Sequence, residues 1–438
     1  MQDSVPSPRL ELPLDPVFTR LAALFSEEAA QSLGLDRRQA MKLALTTEEV
    51  FNYLADQAGA GESIILELSG GGYLVELKVL FPSRSLDFSV FNLTARPSLD
   101  DEAGLAKLGL LLASRSVERF SILVDSGEQM GLAFFKEKSY PPPGEEPPPA
   151  TQPLQDFQVV EPSPQQAKDL ARLISAHYPS HMYPSSFTIP GKLADMVCLG
   201  DYWAVAACDQ QGRLGGCLIW RNLGPSLMQS YGPYLFGQPP DSPLAQALVE
   251  ACVEHLAKSK VVGLIARYPT PELPAEYFEP LGELHYVRSD GTRLPWPHFY
   301  RQLKEDPGAQ LWAHPDLEEF LEETRRRLFL AREIHYTRPE GEKRPQHSVL
   351  GAHMDRGQGH VTLRPLWDGV DIEANLARHL EVLEGEGFAT ILMLLDLGVP
   401  WQSNLVPALL QNHFRPRIIL PYGGVSDLLL FQYERQEG

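Results

Sequence analysis

The chain has 438 residues, of which 43% are hydrophobic and 22% charged, and a formal net charge of −19. Its length predicts roughly two to four ordinary globular domains. The acidic balance disfavours binding to nucleic acid or to anionic membranes, because both reward clustered Lys and Arg. No apolar stretch is long enough to cross a bilayer, and the N-terminus lacks a secretion-signal pattern. The four cysteines show no C-x-x-C spacing, so we expect a cytoplasmic protein without a metal site.

A proline-rich stretch divides the chain, since residues 140–153 read YPPPGEEPPPATQP. Proline removes backbone donors and favours an extended spacer, so this stretch cannot be a core strand or a helix. We therefore predict an N-terminal domain over 1–139, a linker over 140–155, a second domain over 156–305 and a further half or domain over 306–438.

The N-terminal part is predicted to be a two-layer α/β sandwich with helices on one face of a mixed sheet. Helices are expected over 16–33 and 36–57, and their apolar faces are assigned to Phe18, Leu21, Leu24 and Phe25 and to Met41, Leu45, Val50 and Leu54. Strands are expected over 63–71, 72–81, near 86–95, over 119–127 and over 130–138, with a helix over 101–118.

This order, together with the segments LALTTEEVFNYLADQ and SIILELSGGGYLVELKV, resembles the GHKL (histidine-kinase-like) ATPase domain of anti-sigma-factor type over about residues 15–138. In that family a helical glutamate polarises water, and an asparagine four residues later holds Mg²⁺. The resemblance implies Glu48 with Asn52, although the apolar register fits Glu49 at the glutamate position, which puts Tyr53 where the asparagine belongs. The adenine-binding D-x-G-x-G box is absent from FPSRSLDFSVF at 81–91, and the glycine-rich box is reduced to the surroundings of Gly109. We expect an ATPase-like fold whose site for ATP and Mg²⁺ is eroded.

Residues 156–304 follow the order β-α-β-β-β-α-β-α-β-β, with a hairpin YWAVAACDQQGRLGGCLIWRN and a helix SPLAQALVEACVEHLAKS. This order resembles the GNAT acetyltransferase fold. The ending of 310–438 follows the same helix-strand-helix-strand-strand pattern. We therefore expect tandem GNAT-like mixed-sheet domains behind the linker.

The resemblance places acetyl-CoA or another acyl-CoA at the loop FGQPPDSPLAQAL, where backbone N–H groups and a helix dipole would hold the pyrophosphate. Gln238 and Ser242 stand at positions that could contribute. However, the loop's prolines lack N–H groups and Asp241 adds a negative charge. An ordinary helix start, with Asp241 or Ser242 as its cap, is the interpretation we favour.

Two further groups of side chains are candidates for chemistry. The segment AHYPSHMYPSSF follows the first GNAT-like helix, on the side where the family binds its acceptor, and it carries His177, Tyr178, His181 and Tyr183 as ligand contacts. Tyr231 and Tyr234 lie on the strand whose end splays in that family, so either could be a general acid or simply core packing. His347, His353 and His360 lack the tight pairing of a metal site and are expected at the surface.

The sequence thus predicts a regulatory or signalling protein whose degenerate ATPase-like and GNAT-like domains bind a protein partner or a small-molecule effector. One alternative is an acyl-CoA-dependent N-acyltransferase regulated by its N-terminal domain. A second alternative is an anti-sigma-type ATP-binding serine kinase, which the missing D-x-G-x-G box opposes.

Overall fold

The computed structural model describes residues 7–59, 61–82, 87–96, 102–124, 129–142, 146–288, 290–337 and 343–435. The chain forms two compact units. The first unit consists of Met1–Tyr140, Arg344–His353 and Arg364–Val382. The second unit consists of Pro141–Lys343, Met354–Leu363 and Leu383–Gly438.

Helices and strands alternate along the chain, which confirms the mixed α/β class. The α-helices in the described residues are α1 (Thr19–Ser32), α2 (Arg37–Ala55), α3 (Glu102–Arg115), α4 (Pro164–His177), α5 (Pro190–Cys198), α6 (Leu244–Ala257), α7 (Glu318–Leu328), α8 (Ile372–Gly385) and α9 (Val406–Gln411). No helix in this part of the chain combines the length and the apolar character needed to span a membrane.

The strands fall into four sheets, and they are β1 (Arg9–Pro13), β2 (Ser63–Gly71), β3 (Leu74–Pro82), β4 (Arg119–Val124), β5 (Gln129–Glu137), β6 (Gln158–Val160), β7 (Tyr202–Cys208), β8 (Leu214–Gly224), β9 (Leu227–Leu235), β10 (Gly263–Tyr268), β11 (Glu279–Val287), β12 (Arg293–Gln302), β13 (Ala309–Ala313), β14 (Arg332–Tyr336), β15 (Val349–Asp355), β16 (His360–Trp367), β17 (Thr390–Asp396), β18 (Phe414–Leu420) and β19 (Leu428–Tyr433).

The first unit contains a five-stranded sheet in the order β1-β2-β3-β5-β4. All four neighbouring pairs are antiparallel, so the expectation of a mixed sheet for this part was wrong. The strand expected near 86–95 is instead a 3₁₀ helix, Phe88–Phe91, within the described residues. Asp87 caps it by accepting a hydrogen bond from the Ser89 N–H group, and all the apolar side chains of the helix are buried. Strand β1 was not predicted from the sequence.

The apolar faces of the first two helices were partly mispredicted. Leu21 and Leu24 are 48% and 47% exposed, while α1 buries Ala22, Ser26, Ala29 and Ala30. Met41 and Leu45 on α2 are likewise exposed, whereas Val50 and Leu54 are buried as expected. Small residues on α1 allow the two helices to approach closely, and the Thr47 hydroxyl donates a hydrogen bond of 2.8 Å to the Ser26 hydroxyl between them.

Two segments from late in the chain complete the core of the first unit. Val349 is fully buried in the cluster formed by α1, α2 and the sheet, and Leu366 and Trp367 pack against that cluster. Asn92 ties these segments down by donating to the Ser348 carbonyl at 2.8 Å and accepting from the Leu350 N–H group at 3.0 Å. The first unit is therefore built from three stretches of chain.

The second unit contains a seven-stranded sheet in the order β11-β12-β10-β9-β8-β7-β6. Only its β9–β10 pair is parallel among the neighbouring pairs, and the other five are antiparallel. Helix α6 covers one face with Leu244, Leu248 and Cys252 in a shared apolar core. The element order predicted for 156–304 is confirmed, except that α5 was missed and the short helix near 274–282 is a single 3₁₀ turn, Ala275–Tyr277.

A five-stranded sheet in the order β15-β16-β17-β19-β18 follows, and β13 and β14 form a separate parallel pair. Strands β16 and β17 are parallel, and β17, β19 and β18 are antiparallel. The same succession occurs in β9, β10, β12 and β11. The strand order of the last sheet therefore repeats that of half of the seven-stranded sheet.

Candidate functional site

The candidate site of the second unit lies where the only parallel pair of its large sheet comes apart. Leu227 to Ser230 on β9 are in continuous register with Gly263 to Ala266 on β10. The next paired residues are Tyr231 and Tyr268, so β10 carries one extra residue, and the pairing ends there. Two strands that separate at a bulge leave room for side chains between them, and here that room is filled by aromatic rings.

The two tyrosines predicted on β9 have different surroundings. Tyr234 is fully buried, and its hydroxyl donates to the Met182 carbonyl at 2.9 Å. Burial raises the pKa of Tyr234 well above its ordinary value. Tyr231 stacks on Tyr268 with ring centroids 5.6 Å apart, and it lies 5.0 Å from Phe187. The hydroxyl of Tyr234 is therefore already used, and Tyr231 is the better candidate of the two for chemistry.

The four predicted ligand contacts at the end of α4 and after it have different neighbours. The Tyr178 hydroxyl accepts from the Leu235 N–H group at 2.6 Å, and its ring lies 5.1 Å from that of Tyr234. Tyr183 is 5% exposed. His181 stacks on Tyr286 at 5.4 Å, and burial lowers the pKa of His181.

The fourth of these residues, His177, is the last residue of α4. It is exposed, and one ring nitrogen lies 3.0 Å from the Leu173 carbonyl of its own helix. Its ring also lies 5.5 Å from Phe236. The predicted ligand contacts are thus two buried tyrosines and a half-buried histidine, with one histidine at the surface.

In the predicted acyl-CoA loop, the Gln238 side chain is hydrogen-bonded to the chain's own linker. The Gln238 side chain accepts from the Leu154 N–H group at 3.0 Å and donates to the Gln152 carbonyl at 3.0 Å. The Ser242 N–H group donates to the Pro239 carbonyl at 3.1 Å. Since prolines supply no N–H groups and Gln238 is engaged, these residues do not fit a pyrophosphate.

The start of α6 differs slightly from the expected cap. The helix begins at Leu244 with Pro243 before it, and the Ser242 hydroxyl accepts from the Leu244 N–H group at 3.4 Å. The loop is therefore an ordinary helix start, in which the Ser242 hydroxyl accepts a hydrogen bond from the first backbone amide of α6.

A cluster of polar side chains beside Tyr268 was not foreseen. Arg267 on β10 and His298 on β12 lie close to the Trp296 ring, which contacts the Tyr268 ring, and Gln229 lies on the adjoining strand β9. Gln229, Arg267 and His298 stand in the runs LMQSYGPYLFG, VVGLIARYP and HFYRQLKE, each of which reads as a plain strand. The signal that could have found the site is the placement of an amide, a guanidinium and an imidazole inside three otherwise apolar strands.

The nucleotide prediction for the first unit brings two of its residues together. The carboxylate of Glu49 on α2 lies against Gly109 on α3, where any larger side chain would meet it. Burial, and secondarily the charge of Glu48, raises the pKa of Glu49. The Asn52 side-chain oxygen accepts a hydrogen bond of 2.7 Å from the Thr19 hydroxyl, so that oxygen already has a partner.

The segment that corresponds to the adenine-binding box of the GHKL family is 81–91. Residues 83–86 of it lie outside the described residues, and the part that follows is the 3₁₀ helix at Phe88. The Phe88 ring meets the Trp367 ring edge-on at 5.4 Å. A tryptophan from the later chain segment therefore packs onto this part of the first unit.

Within the described residues, no group of His, Cys, Asp and Glu side chains is arranged to hold a metal ion. One ring nitrogen of His347 lies 3.3 Å from Asp371. His353 is exposed and His360 is buried, so the expectation of surface histidines was wrong for His360.

No protein-family model and no curated protein matches the chain. Among solved structures it is similar to an acetyltransferase of the GNAT family from Staphylococcus aureus Mu50, at 11% identity and a TM-score of 0.26, covering 34% of this chain and 100% of that one. An aminoglycoside 6'-acetyltransferase type Ii has 18% identity and a TM-score of 0.27, covering 34% and 99%. A GNAT superfamily phosphinothricin acetyltransferase from Sinorhizobium meliloti, in complex with AcCoA, has 16% identity and a TM-score of 0.28, covering 34% and 89%. The similarity concerns about one third of this chain, at identities too low to carry over a substrate.

Proposed function

We propose that this chain is a regulatory protein whose GNAT-like unit binds a small ligand and does not transfer an acyl group from CoA. The observation that carries the proposal is the engagement of Gln238 with the linker residues Gln152 and Leu154. The loop prolines add no donors of their own. A pyrophosphate would therefore find neither the side chain nor the row of amides that it needs.

For the first unit we propose a GHKL-like scaffold that does not hydrolyse ATP and that serves a partner or an effector. Its support is the use of the Asn52 oxygen by Thr19 and the packing of Trp367 on Phe88. In that family the asparagine oxygen holds Mg²⁺ beside the phosphates, whereas here the Asn52 oxygen accepts a hydrogen bond from the Thr19 hydroxyl. The serine-kinase alternative would need the same missing site.

The test is calorimetric titration of the full chain with acetyl-CoA, CoA and ATP–Mg²⁺, alongside the variant Gln238→Ala. We expect no micromolar binding of these ligands to the natural chain or to the variant, because removing one side chain does not supply the amides that proline lacks. Gln165→Ala, at an exposed glutamine on α4, is the matched control. Micromolar binding of acetyl-CoA to the natural chain would overturn the proposal.

A second candidate function is an acyl-CoA-dependent N-acyltransferase. It is favoured by the separation of β9 from β10 at Tyr231 and Tyr268, together with the start of α6 soon after β9 ends. In such a reaction the acceptor amine attacks the thioester carbonyl, the C–S bond breaks, the amine loses a proton and the departing thiolate gains one.

The Gln238→Ala variant separates the two candidates. If the linker merely covers a working loop, acetyl-CoA should bind to Gln238→Ala more tightly than to the natural chain. Release of free thiol in the presence of an amine would then establish transfer. Equal absence of binding in both proteins leaves the binding-module proposal standing.

A further inference from the structure

The second unit carries buried polar atoms without hydrogen-bond partners beside the point where β9 and β10 separate. Within the described residues, the Gln229 side-chain oxygen, the Arg267 Nε and the His298 Nε2 are buried and have no partner in the protein. His298 is fully buried, and Gln229 is 1% exposed. Buried polar groups nearly always have a hydrogen-bond partner, so three without one on the neighbouring strands β9, β10 and β12 require an explanation.

These side chains lie in neighbouring strands. Gln229 pairs with Ile265 on β10, which pairs in turn with Tyr300 on β12. Alternation along β12 places His298 on the same face as Tyr300, and hence on the face of Gln229. The Arg267 guanidinium lies 5.7 Å from the Trp296 ring, and that ring lies 5.3 Å from His298.

His298 is held as a hydrogen-bond acceptor. Its Nδ1 lies 3.0 Å from the Trp296 carbonyl, which can only accept, so Nδ1 carries the proton and Nε2 presents a lone pair. Burial, helped by the charge of Arg267, lowers the pKa of His298 to about 3, so the ring is neutral. The Gln229 oxygen is a second acceptor, and the Arg267 Nε–H group is a donor.

Three charged side chains lie near Tyr268. Arg267, Arg221 and Asp355 all act on its hydroxyl, two of them positive and one negative. The Asp355 carboxylate already accepts from the Ser185 N–H group at 3.2 Å and from the Gln358 N–H group at 3.1 Å.

We propose that Gln229, Arg267 and His298 form a subsite for a small carboxylate that also carries N–H donors, such as an amino acid. The carboxylate pairs with Arg267, and the donors reach the His298 nitrogen and the Gln229 oxygen. Tyr268 and Trp296 bound the subsite with aromatic surface. This inference names the ligand class of the binding module proposed above and rests on that proposal.

The test compares four probes of similar size on the full chain, by thermal shift and calorimetry. L-alanine has both the carboxylate and the N–H donors. Lactate has a hydroxyl in place of the amine, propionate has the carboxylate without a donor, and ethylamine has no carboxylate. We expect stabilisation by L-alanine, weaker stabilisation by lactate, and none by propionate or ethylamine.

Two variants tie the effect to the subsite. His298→Phe and Gln229→Met remove an acceptor each at similar volume, and both should weaken L-alanine binding by about tenfold or more. Because His298→Phe also removes an unmet buried polar group, the free variant should unfold no more easily than the natural chain.

His379→Phe is the matched control, since His379 in the first unit is equally buried and also has one nitrogen bonded to a backbone carbonyl, at 2.8 Å. It should leave L-alanine binding unchanged. No shift with L-alanine, or a shift that survives His298→Phe, would overturn the subsite and point to buried water alone. Micromolar binding of acetyl-CoA in the titration described under the proposed function would overturn that function without affecting the subsite.

Discussion

At the scale of single residues, Arg332 is a buried charge of the second unit that is paired with two carboxylates. Its guanidinium donates to Asp427 at 2.7 and 3.1 Å and to Asp306 at 2.9 and 3.0 Å, and it lies 4.5 Å over the Tyr422 ring. The side chains of Arg332 and Asp427 are each 1% exposed. This network connects β14 to the turn before β19.

Replacing Arg332 by Met should therefore leave Asp427 buried without its partner. Breaking a buried ion pair from one side costs about 3–5 kcal/mol, whereas exposed pairs contribute about 0–1 kcal/mol. We expect Arg332→Met to lower the urea midpoint strongly and Arg356→Met, at an exposed pair with Glu386, to lower it little. Similar midpoints for the two variants would show that the Arg332 network adds no stability.

The loss of stability in Arg332→Met should depend on pH. Burial raises the pKa of Asp427 to about 6 even though Arg332 lowers it, and without Arg332 this pKa rises further. A raised pKa in the folded state means that the stability contributed by the neutral carboxyl is present at low pH and is lost as pH rises through that value. The loss in Arg332→Met should thus be smaller at about pH 5 than at about pH 8.

Residue roles were only partly visible in the sequence. Glycines and tyrosines could be assigned to a strand end, because turn residues and aromatic runs have local signatures. The roles of Gln229 and His298 depend on which strands become neighbours, and no spacing within one strand encodes that. The occupation of Gln238 by Leu154 connects positions far apart in the chain and was equally invisible.

At the scale of elements, the start of β15 is hydrogen-bonded to a side chain from a distant part of the sequence. The Asn92 amide donates to the Ser348 carbonyl and accepts from the Leu350 N–H group, as a neighbouring peptide would. Asn375 donates at 3.1 Å to the Asn92 oxygen and so fixes the orientation of its amide. One asparagine thus stands in for a stretch of β partner.

Asn92→Ala should leave the Leu350 N–H group without its acceptor inside the first unit. We expect a loss of about 1–3 kcal/mol in the free energy of unfolding of that unit. Hydrogen exchange is the measurement, with faster exchange at Leu350 as the specific sign. Asn222→Ala, at an exposed position on β8, should change neither. Unchanged exchange at Leu350 in Asn92→Ala would contradict the role.

The positions of the helices and strands were largely predictable from the sequence, whereas the buried faces of α1 and α2 were predicted only in part. Periodicity located α1 and α2, but Leu21, Leu24, Met41 and Leu45 proved exposed because small residues such as Ala22 and Ser26 form the contact between helices. The 3₁₀ helix at Phe88 was taken for a strand since its phenylalanines lie in a short apolar run, where length alone cannot separate the two forms.

At the scale of the whole molecule, the first unit is discontinuous. It needs Val349 and Trp367 to complete a core that begins near the N-terminus. The linker marks where the first long stretch ends, yet it gives no hint that later segments return. Composition and punctuation report where a chain changes character, whereas long-range packing decides which stretches share a core.

Cutting the linker should therefore not release the N-terminal fragment. With a specific protease site in place of residues 143–145, we expect the two pieces to run together in native size-exclusion chromatography and to separate on a denaturing gel. Asn92→Ala combined with Trp367→Ala should loosen their association, because both changes weaken the shared core. Separation of the natural pieces under native conditions would count against the three-stretch unit.

The same three-stretch construction sets a delay during synthesis. The first unit cannot close its core until Val382 has left the ribosome, roughly 240 residues after Tyr140 has emerged. At a translation rate of roughly 5–20 residues per second, this takes about 12–50 s. The apolar surface around Phe88 and Phe91 remains exposed to solvent during that time. During this interval the nascent chain presents apolar surface of the kind that chaperones bind.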